Sequence, residues 1–243
     1  MNKKDLYIIT GGSQGLGLAL VEQALVQDHF VISIARTSNN IKNENLIQIK
    51  QDLSKNFESI EKKLTLFFKK TDFKKIRHIY FINNAAQIQP VAAIGNLDVK
   101  SIEKHISLNY TTPVLLTNWF MAQKTKNSGS NVIVQISSGA AGFAITNWSM
   151  YCSSKAAIEM FNSVMQIQIA DNKKIKAITY SPGIIDTGMQ ATIRSLKTKD
   201  FPEVDRFKTY KKTNELRKAP DVASHLLKLI SEPNKLTEKS YSL

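Results

Sequence analysis

Residues 6–17 read Leu6-Tyr7-Ile8-Ile9-Thr10-Gly11-Gly12-Ser13-Gln14-Gly15-Leu16-Gly17, and this stretch decides the fold class. Its apolar start is typical of a buried strand, and glycines spaced Gly-x3-Gly-x-Gly follow from Gly11. An apolar helical pattern begins at Leu18. Glycines allow a tight turn beside a pyrophosphate, whose charge is stabilised by the N–H groups and dipole at a helix start. The stretch therefore predicts a strand–turn–helix unit that binds a dinucleotide.

Apolar, β-branched runs recur along the chain and predict further strands. The predicted strands are Leu6–Thr10, Phe30–Ala35, Leu46–Ile49, His78–Ile82, Val132–Ile136 and Ile175–Tyr180. We expect each early strand except the one at Leu46 to be followed by a helix, as in βαβ units. The fold class is then α/β: a single-domain Rossmann fold over residues 1–243, with a doubly wound parallel sheet of six to seven strands and helices on both faces. We expect a helical lid over about 184–219 and a last helix beginning at Pro220.

Composition narrows the function classes. The net charge is +13, from 33 Lys+Arg and 20 Asp+Glu, but the basic residues form no recognition motif, so we expect no nucleic-acid partner. No segment approaches the roughly 20 apolar residues of a membrane span. A single cysteine excludes an intrachain disulfide and favours a cytoplasmic protein. The four histidines lack metal-ligand spacing, so we expect no metal.

Two residues that follow strands predict the cofactor. Arg36 follows the second strand, and no acidic residue occurs from Ser33 to Asn40. An acid near this position would accept from a ribose 2′-hydroxyl, whereas an arginine suits a 2′-phosphate, so the sequence favours NADPH/NADP+ over NAD. Asp52 follows the third strand and is a candidate acceptor for the adenine amino group. The alternative is that Asp52 caps the next helix.

Tyr151 and Lys155 carry the candidate chemistry. Their i, i+4 spacing places them on one face of a helix, where the ammonium would lower the pKa of the phenol. Such a tyrosine can pass a proton to a developing alkoxide. Ser138 follows the fifth strand and could donate to the same oxygen. Asn109 lies early in an apolar helix, where it could bend the helix and hold a water that leads to Lys155.

The segment Asn83-Asn84-Ala85-Ala86 follows the fourth strand, and Pro182-Gly183 follows the sixth. In order and spacing, these motifs resemble the classical short-chain dehydrogenases/reductases over nearly the whole chain, although Ala86 stands where the family usually has Gly. The resemblance implies a homodimer or homotetramer and the catalytic tetrad Asn109, Ser138, Tyr151 and Lys155. The expected cofactor-binding residues are Gly11, Ser13, Gln14, Gly15, Leu16, Gly17, Arg36, Asp52, Leu53, Asn84, Ala85, Ala86, Tyr151, Lys155, Pro182, Gly183, Ile185 and Thr187.

The segment Asp186-Thr187-Gly188-Met189-Gln190-Ala191 and the later Asp205-Arg206-Phe207 are similar to sepiapterin reductases and, more so, to bacterial benzil reductases that form (S)-benzoin. This resemblance implies reduction of a vicinal diketone to a hydroxyketone. The expected substrate pocket is Phe143, Ile145, Trp148, Ile184 and Met189, all apolar and without a group to pair a substrate charge.

Several alternatives stay open. The pocket aromatics could pack only against the lid or a partner subunit. Other members of the family reduce 3-oxoacyl thioesters or sepiapterin, although the C-terminal residues 235–243 lack the aspartate with which sepiapterin reductases anchor the pterin. A redox sensor that binds NADP without turnover is the non-enzyme alternative, and the presence of both Tyr151 and Lys155 argues against it.

Overall fold

The computed structural model of the protein describes residues 3–123 and 125–243. Within these residues, seven strands form one parallel sheet in the order β3-β2-β1-β4-β5-β6-β7. The strands are β1 (Lys4–Thr10), β2 (Phe30–Ala35), β3 (Leu46–Lys50), β4 (Ile76–Asn83), β5 (Asn131–Ile136), β6 (Ile175–Ser181) and β7 (Ser240–Ser242). The helices are α1 (Gly15–Val26), α2 (Phe57–Lys70), α3 (Val99–Ile106), α4 (Thr112–Met121), α5 (Ser149–Gln168), α6 (Gly188–Arg194), α7 (Val204–Lys212) and α8 (Ala219–Ile230). The predicted fold class is confirmed.

One predicted connection was wrong. Residues 36–45, between β2 and β3, contain no helix, whereas β3 is followed by α2. The Gln48 side chain accepts from the Asn39 backbone N–H at 2.8 Å and donates to the Asn39 carbonyl at 3.2 Å, so the connection is held on β3 without helical structure. The Asn56 side chain accepts from the Ser59 backbone N–H and starts α2. Asp52, the other candidate cap, bonds Ser54 instead.

Apolar side chains fill both faces of the sheet. On one face, Leu20 of α1 and Leu226 of α8 pack against strand residues such as Ile9. On the other, Phe68 of α2 and Trp119 of α4 pack against residues such as Phe81. Strands buried on both faces read as continuous apolar runs, which is why the sequence located them. The parallel arrangement brings the carboxyl ends of the strands to one edge of the sheet.

The segment 184–219 contains helices α6 and α7, as expected for a helical cover. A parallel bridge pairs Ile185 with Arg217, so both ends of the segment lie together. The last helix begins at Ala219, one residue before the predicted start. Within the described ranges, we find no helix that combines the length and apolar character needed to cross a membrane.

A buried carboxylate joins β1 to β4 at the opposite edge of the sheet. Asp5 is 1% exposed and accepts from the Arg77 guanidinium at 2.9 and 2.7 Å. The backbone N–H of His78 donates to the same carboxylate at 3.1 Å. A buried charge needs such partners, because its desolvation would otherwise destabilise the fold.

We expect Arg77→Met to lower the free energy of unfolding by about 2 kcal/mol, because Asp5 would keep a buried charge with one partner fewer. This is less than the cost of breaking a fully buried pair, since the Arg77 side chain is 49% exposed. Urea denaturation at pH 7 measures the change. Lys235→Met, which breaks the exposed pair with Glu232, is the control and should change stability by less than about 1 kcal/mol. Equal effects of the two substitutions would contradict the assignment.

Candidate active site

A cavity of about 1080 Å³ lies at the carboxyl ends of the strands. Its wall extends from the glycine-rich loop after β1, past the ends of β2, β4, β5 and β6, to the lid helix α7. The volume is at the upper end of the range typical of small-molecule sites, so a large cofactor and a substrate could share it. In open parallel sheets, ligands bind at this edge.

The glycine-rich loop has the geometry of an anion site. Helix α1 begins at Gly15, whose φ of +56° is a left-handed value that glycine adopts without strain. At Gly17, an added Cβ would collide with the carbonyl oxygen of Gly11, so only glycine allows this close packing. Gly11, Ser13, Gln14 and Leu16 line the cavity, whereas Gly15 and Gly17 shape the turn behind it. The free N–H groups and dipole of α1 fit the pyrophosphate of a dinucleotide.

Arg36 and Asp52 lie at the far end of the same wall, next to Leu53. Arg36 is exposed. Although partial burial opposes it, hydrogen bonds from Ser54 and the nearby charge of Arg36 hold the pKa of Asp52 below its usual value. This end of the cavity therefore offers both a cation and an ionised acceptor.

Seven other residues that are expected to bind the cofactor also line the cavity. They are Asn84, Ala85, Ala86, Pro182, Gly183, Ile185 and Thr187. The Asn84 side chain donates to the Thr10 carbonyl at 2.9 Å, and the Thr10 hydroxyl accepts from the backbone N–H groups of Asn84 and Ala85. These bonds join the ends of β1 and β4.

Tyr151, Ser138 and Lys155 meet in the middle of the cavity wall. The Lys155 ammonium lies 5.7 Å from the centre of the Tyr151 ring, and Ser138 lies near enough to Tyr151 to affect its pKa. Burial raises the pKa of Tyr151 to about 12, against the opposing effect of Ser138. Burial rather than the Lys155 ammonium therefore sets the direction of the Tyr151 pKa, against the expectation from the sequence. Burial also lowers the pKa of Lys155 to about 8, against the opposing charge of Glu159.

Three consecutive residues at the end of β5 hold one face of α5. Ile136 accepts a hydrogen bond on its carbonyl from Lys155 Nζ at 2.7 Å. The Ser137 hydroxyl donates to Glu159 at 2.5 Å, and Ser138 lies beside Tyr151. Tyr151, Lys155 and Glu159 are one helical turn apart, so they share a face. We call these contacts the β5–α5 clamp.

Asn109 lies behind the cavity wall rather than on it. Residues Ser107–Thr111 form a π-helical turn between α3 and α4, which agrees with the expected distortion at Asn109. The Asn109 amide donates to the Gln87 carbonyl and accepts from the Gln87 backbone N–H, both at 2.9 Å. These bonds fix the orientation of its side chain. The water that Asn109 would hold for Lys155 stays a prediction.

His105 is a buried residue that the sequence did not single out. Its Nδ1 lies 2.6 Å from the Gln89 carbonyl oxygen, which can only accept, so Nδ1 carries the proton. Nε2 is then the acceptor facing the Asn109 amide at 3.0 Å and the Ser154 hydroxyl at 3.1 Å. Burial lowers the pKa of His105, which keeps the ring neutral. Two of its partners, Gln89 and Ser154, are distant in sequence, so spacing alone gave no signal for this cluster.

The predicted substrate residues Phe143, Ile145, Trp148, Ile184 and Met189 all line the cavity. Trp148 is 4% exposed and stacks on Phe201 of the lid segment at 5.1 Å between ring centres. Phe143 is 75% exposed. The expectation of a wall without charged groups was wrong. Helix α7 adds Arg206 to the cavity wall, and Glu203, the residue just before α7, also lines it. Glu203 and Arg206 lie within the segment 184–219, whose path the sequence did not predict.

Comparisons with known proteins agree with this geometry. Residues 5–198 match the family model for short chain dehydrogenase. The chain is 37% identical over 229 residues to benzil reductase ((S)-benzoin forming) of Bacillus subtilis, covering 94% of each. It is 25% identical to sepiapterin reductase of Rattus norvegicus, covering 92% of this chain and 90% of that one. The crystal structure of a short chain dehydrogenase/reductase of Saccharomyces cerevisiae, YIR035C, superposes with a TM-score of 0.81 at 26% identity and covers 98% of this chain and 95% of that one.

We expect Glu159→Gln to lower the pKa of Lys155 below about 8. The variant keeps an acceptor for Ser137 but removes the negative charge that stabilises the ammonium. The neutral amine of Lys155 is then more stable relative to the ammonium. The pH dependence of amine labelling at Lys155, followed by mass spectrometry, measures the shift. Ser137→Ala is the matched control, since it removes the hydrogen bond and keeps the carboxylate. An unchanged pKa in Glu159→Gln would show that this charge does not act on Lys155.

Proposed function

We propose that this chain, which belongs to the short-chain dehydrogenase/reductase family and is therefore an oxidoreductase acting on carbonyl and hydroxyl groups, uses NADPH to reduce a vicinal diketone of the benzil type to a hydroxyketone. The family uses nicotinamide cofactors. The observation that carries the proposal is the meeting of Tyr151, Ser138 and Lys155 on the wall of the cavity that also holds the glycine-rich loop. The loop, the start of α1 and the exposed Arg36 fit the phosphates of such a cofactor.

In this proposal, bound NADPH supplies the hydride for the carbonyl carbon. Tyr151 donates its proton to the oxygen as that oxygen becomes an alkoxide, and Ser138 donates a hydrogen bond to the same atom. With a pKa of about 12, the Tyr151 phenol is protonated at neutral pH and ready to act as the acid. Hydrogen-bond donors aimed at the developing charge stabilise the transition state more than the neutral ketone.

Lys155 has a second task in the proposal. One of its three N–H groups is held by the Ile136 carbonyl, which leaves two to bind the cofactor ribose and to support the phenolate after proton transfer. Asn109 then orients a water that returns a proton towards Lys155. The hydrogen bonds to Gln87 support this positioning role.

The preference for NADPH rests on Arg36. It follows β2 at the place where a 2′-phosphate would lie, and no acidic residue occurs from Ser33 to Asn40. Asp52 lies near enough for the Arg36 charge to lower its pKa, and in the proposal it accepts from the adenine amino group. Arginine pairs with phosphate through two parallel N–H bonds.

We expect Arg36→Ala to weaken NADPH binding about 30-fold and NADH binding less than about threefold, because a charge-assisted hydrogen bond contributes about 2 kcal/mol. Fluorescence titration of the bound nicotinamide measures both constants. Lys42→Ala, an exposed lysine downstream on the same β2–β3 connection, serves as the charge-matched control. Equal affinity of the wild type for NADPH and NADH would refute the assignment.

The substrate class follows from the pocket and from the relatives. The walls near Tyr151 include Trp148, Ile145 and Met189, so an apolar aryl ketone can be desolvated there. A second carbonyl beside the first makes the reacting carbon more electrophilic. Two relatives are named benzil reductase, at 37% and 30% identity. NADPH oxidation assayed with benzil, sepiapterin, quinones and acetoacetyl thioesters tests this choice, and the proposal requires the diketone to be reduced best.

We expect Tyr151→Phe to lower kcat for the diketone at least about 100-fold, which is the typical contribution of a positioned acid. NADPH affinity should stay near that of the wild type, because the ring is kept. Stopped-flow NADPH oxidation and cofactor titration measure the two quantities. Tyr241→Phe, which removes a hydroxyl from β7 away from the cavity wall, is the control for loss of a phenol elsewhere. Near-normal turnover by Tyr151→Phe would exclude the proposed acid.

A homodimer or homotetramer remains part of the proposal. Helix α5 carries exposed Met160, Val164 and Ile167, at 67%, 49% and 71%. Their spacing of four and three places them on one face of the helix. A contiguous apolar face on an exposed helix supports association between subunits. This exposed face differs from the face of α5 that carries Tyr151 and Lys155, which is buried.

A further inference from the structure

The end of the cavity formed by α7 carries a polar cluster that the proposed reaction does not use. Glu203, Arg206 and Tyr210 line the wall there, and Arg206 contacts the other two. Arg206 Nε donates to the Tyr210 hydroxyl at 2.5 Å, and Arg206 Nη1 donates to Glu203 at 3.3 Å. The guanidinium also lies 5.5 Å from the centre of the Tyr210 ring. We call these three residues the α7 cluster.

Arg206 retains hydrogen-bonding capacity. A guanidinium has five N–H groups, and the contacts to Tyr210 and Glu203 use two of them. The Tyr210 ring restricts the orientation of the guanidinium, which lowers the entropy lost when another partner binds. Of the lysines and arginines that line this cavity within the described residues, Arg36 and Lys155 have a place at the cofactor, and Arg206 does not.

Between the α7 cluster and Tyr151 the wall is aromatic. Trp148 lies edge-on to Tyr151 at 5.6 Å and contacts Phe207 at 5.4 Å between ring centres. Phe207 in turn lies edge-on to Tyr210 at 5.8 Å. The wall therefore passes from a proton donor, through aromatic rings, to a guanidinium. A ligand complementary to this order has a carbonyl at one end, an aryl body and an anion at the other end.

We propose that Arg206 binds a carboxylate at the end of the substrate remote from the reacting carbonyl. This inference rests on the proposed function and narrows its substrate class to aryl ketones and diketones that carry one negative charge. A single charge is favoured over a phosphate dianion because Glu203 places its own carboxylate beside Arg206. Glu203 therefore limits the affinity for anions, and removing its charge should raise it.

Binding of two related diketones tests the proposal without requiring turnover. The probes are 1-phenyl-1,2-propanedione and its 4-carboxyphenyl analogue, titrated by calorimetry into the protein saturated with NADP+. We expect the carboxylate to bind about fivefold to tenfold more tightly in the wild type, a modest factor because Arg206 is 65% exposed. The measured quantity is the ratio of the two dissociation constants.

Two neighbouring substitutions should move that ratio in opposite directions. Arg206→Gln should bring it to about one, since the positive charge is lost. Glu203→Gln should raise it about threefold above the wild-type value, since a like charge is removed. Lys208→Gln removes a positive charge from the same helix, and this lysine pairs with Asp205 away from the cavity wall. This control should leave the ratio at its wild-type value.

A ratio near one in the wild type overturns the inference, and so does failure of both probes to bind. A ratio that falls equally in Arg206→Gln and Lys208→Gln also overturns it, because the effect would then come from net charge. Turnover with NADPH is measured separately on both probes. Binding with the expected ratio but without turnover contradicts the proposed function and leaves the anion site supported.

Discussion

The site depends on the β5–α5 clamp. Lys155 is 4% exposed, and an ammonium in that position must be compensated or it destabilises the fold. The Ile136 carbonyl and the nearby Glu159 carboxylate supply that compensation, and Ser137 ties Glu159 to the strand. Ser138, two residues after the end of β5, lies beside Tyr151. One short stretch, residues 136–138, therefore both compensates the charge of Lys155 and borders Tyr151.

The clamp attaches α5 to a central strand of the sheet. Strand β5 pairs with β4 on one side and with β6 on the other. Asn84 and Pro182, which follow those two strands, lie on the same cavity wall. A shift of α5 would therefore have to break the hydrogen bonds that Lys155 and Glu159 make at the end of β5.

The sequence could predict the features that depend on residues close together in the chain, but not those that depend on tertiary contacts. The glycine-rich turn and the Tyr151–Lys155 pair are local patterns, so both were found by spacing. The β5–α5 clamp joins Ser137 to Glu159, and the His105 contacts reach Gln89 and Ser154, all through tertiary packing that no period encodes. The helix expected after β2 is absent, and the Asn39 backbone bonds the Gln48 side chain there, whereas Asn56 rather than Asp52 caps the helix after β3. The sequence also could not show that burial raises the pKa of Tyr151, since desolvation is a property of the packed fold.

Trp148 connects the segment 184–219 to the turn of α5 that bears Tyr151. It immediately precedes α5, three residues before Tyr151, and its ring stacks on Phe201 while lying edge-on to Tyr151. Trp148 therefore packs on that segment and also lines the cavity, because a flat ring has two faces and an edge to offer. Its contact with a substrate stays a prediction. Lys155 and Glu159, on later turns of the same helix, are held by the clamp instead, so different contacts fix the two ends of this face of α5.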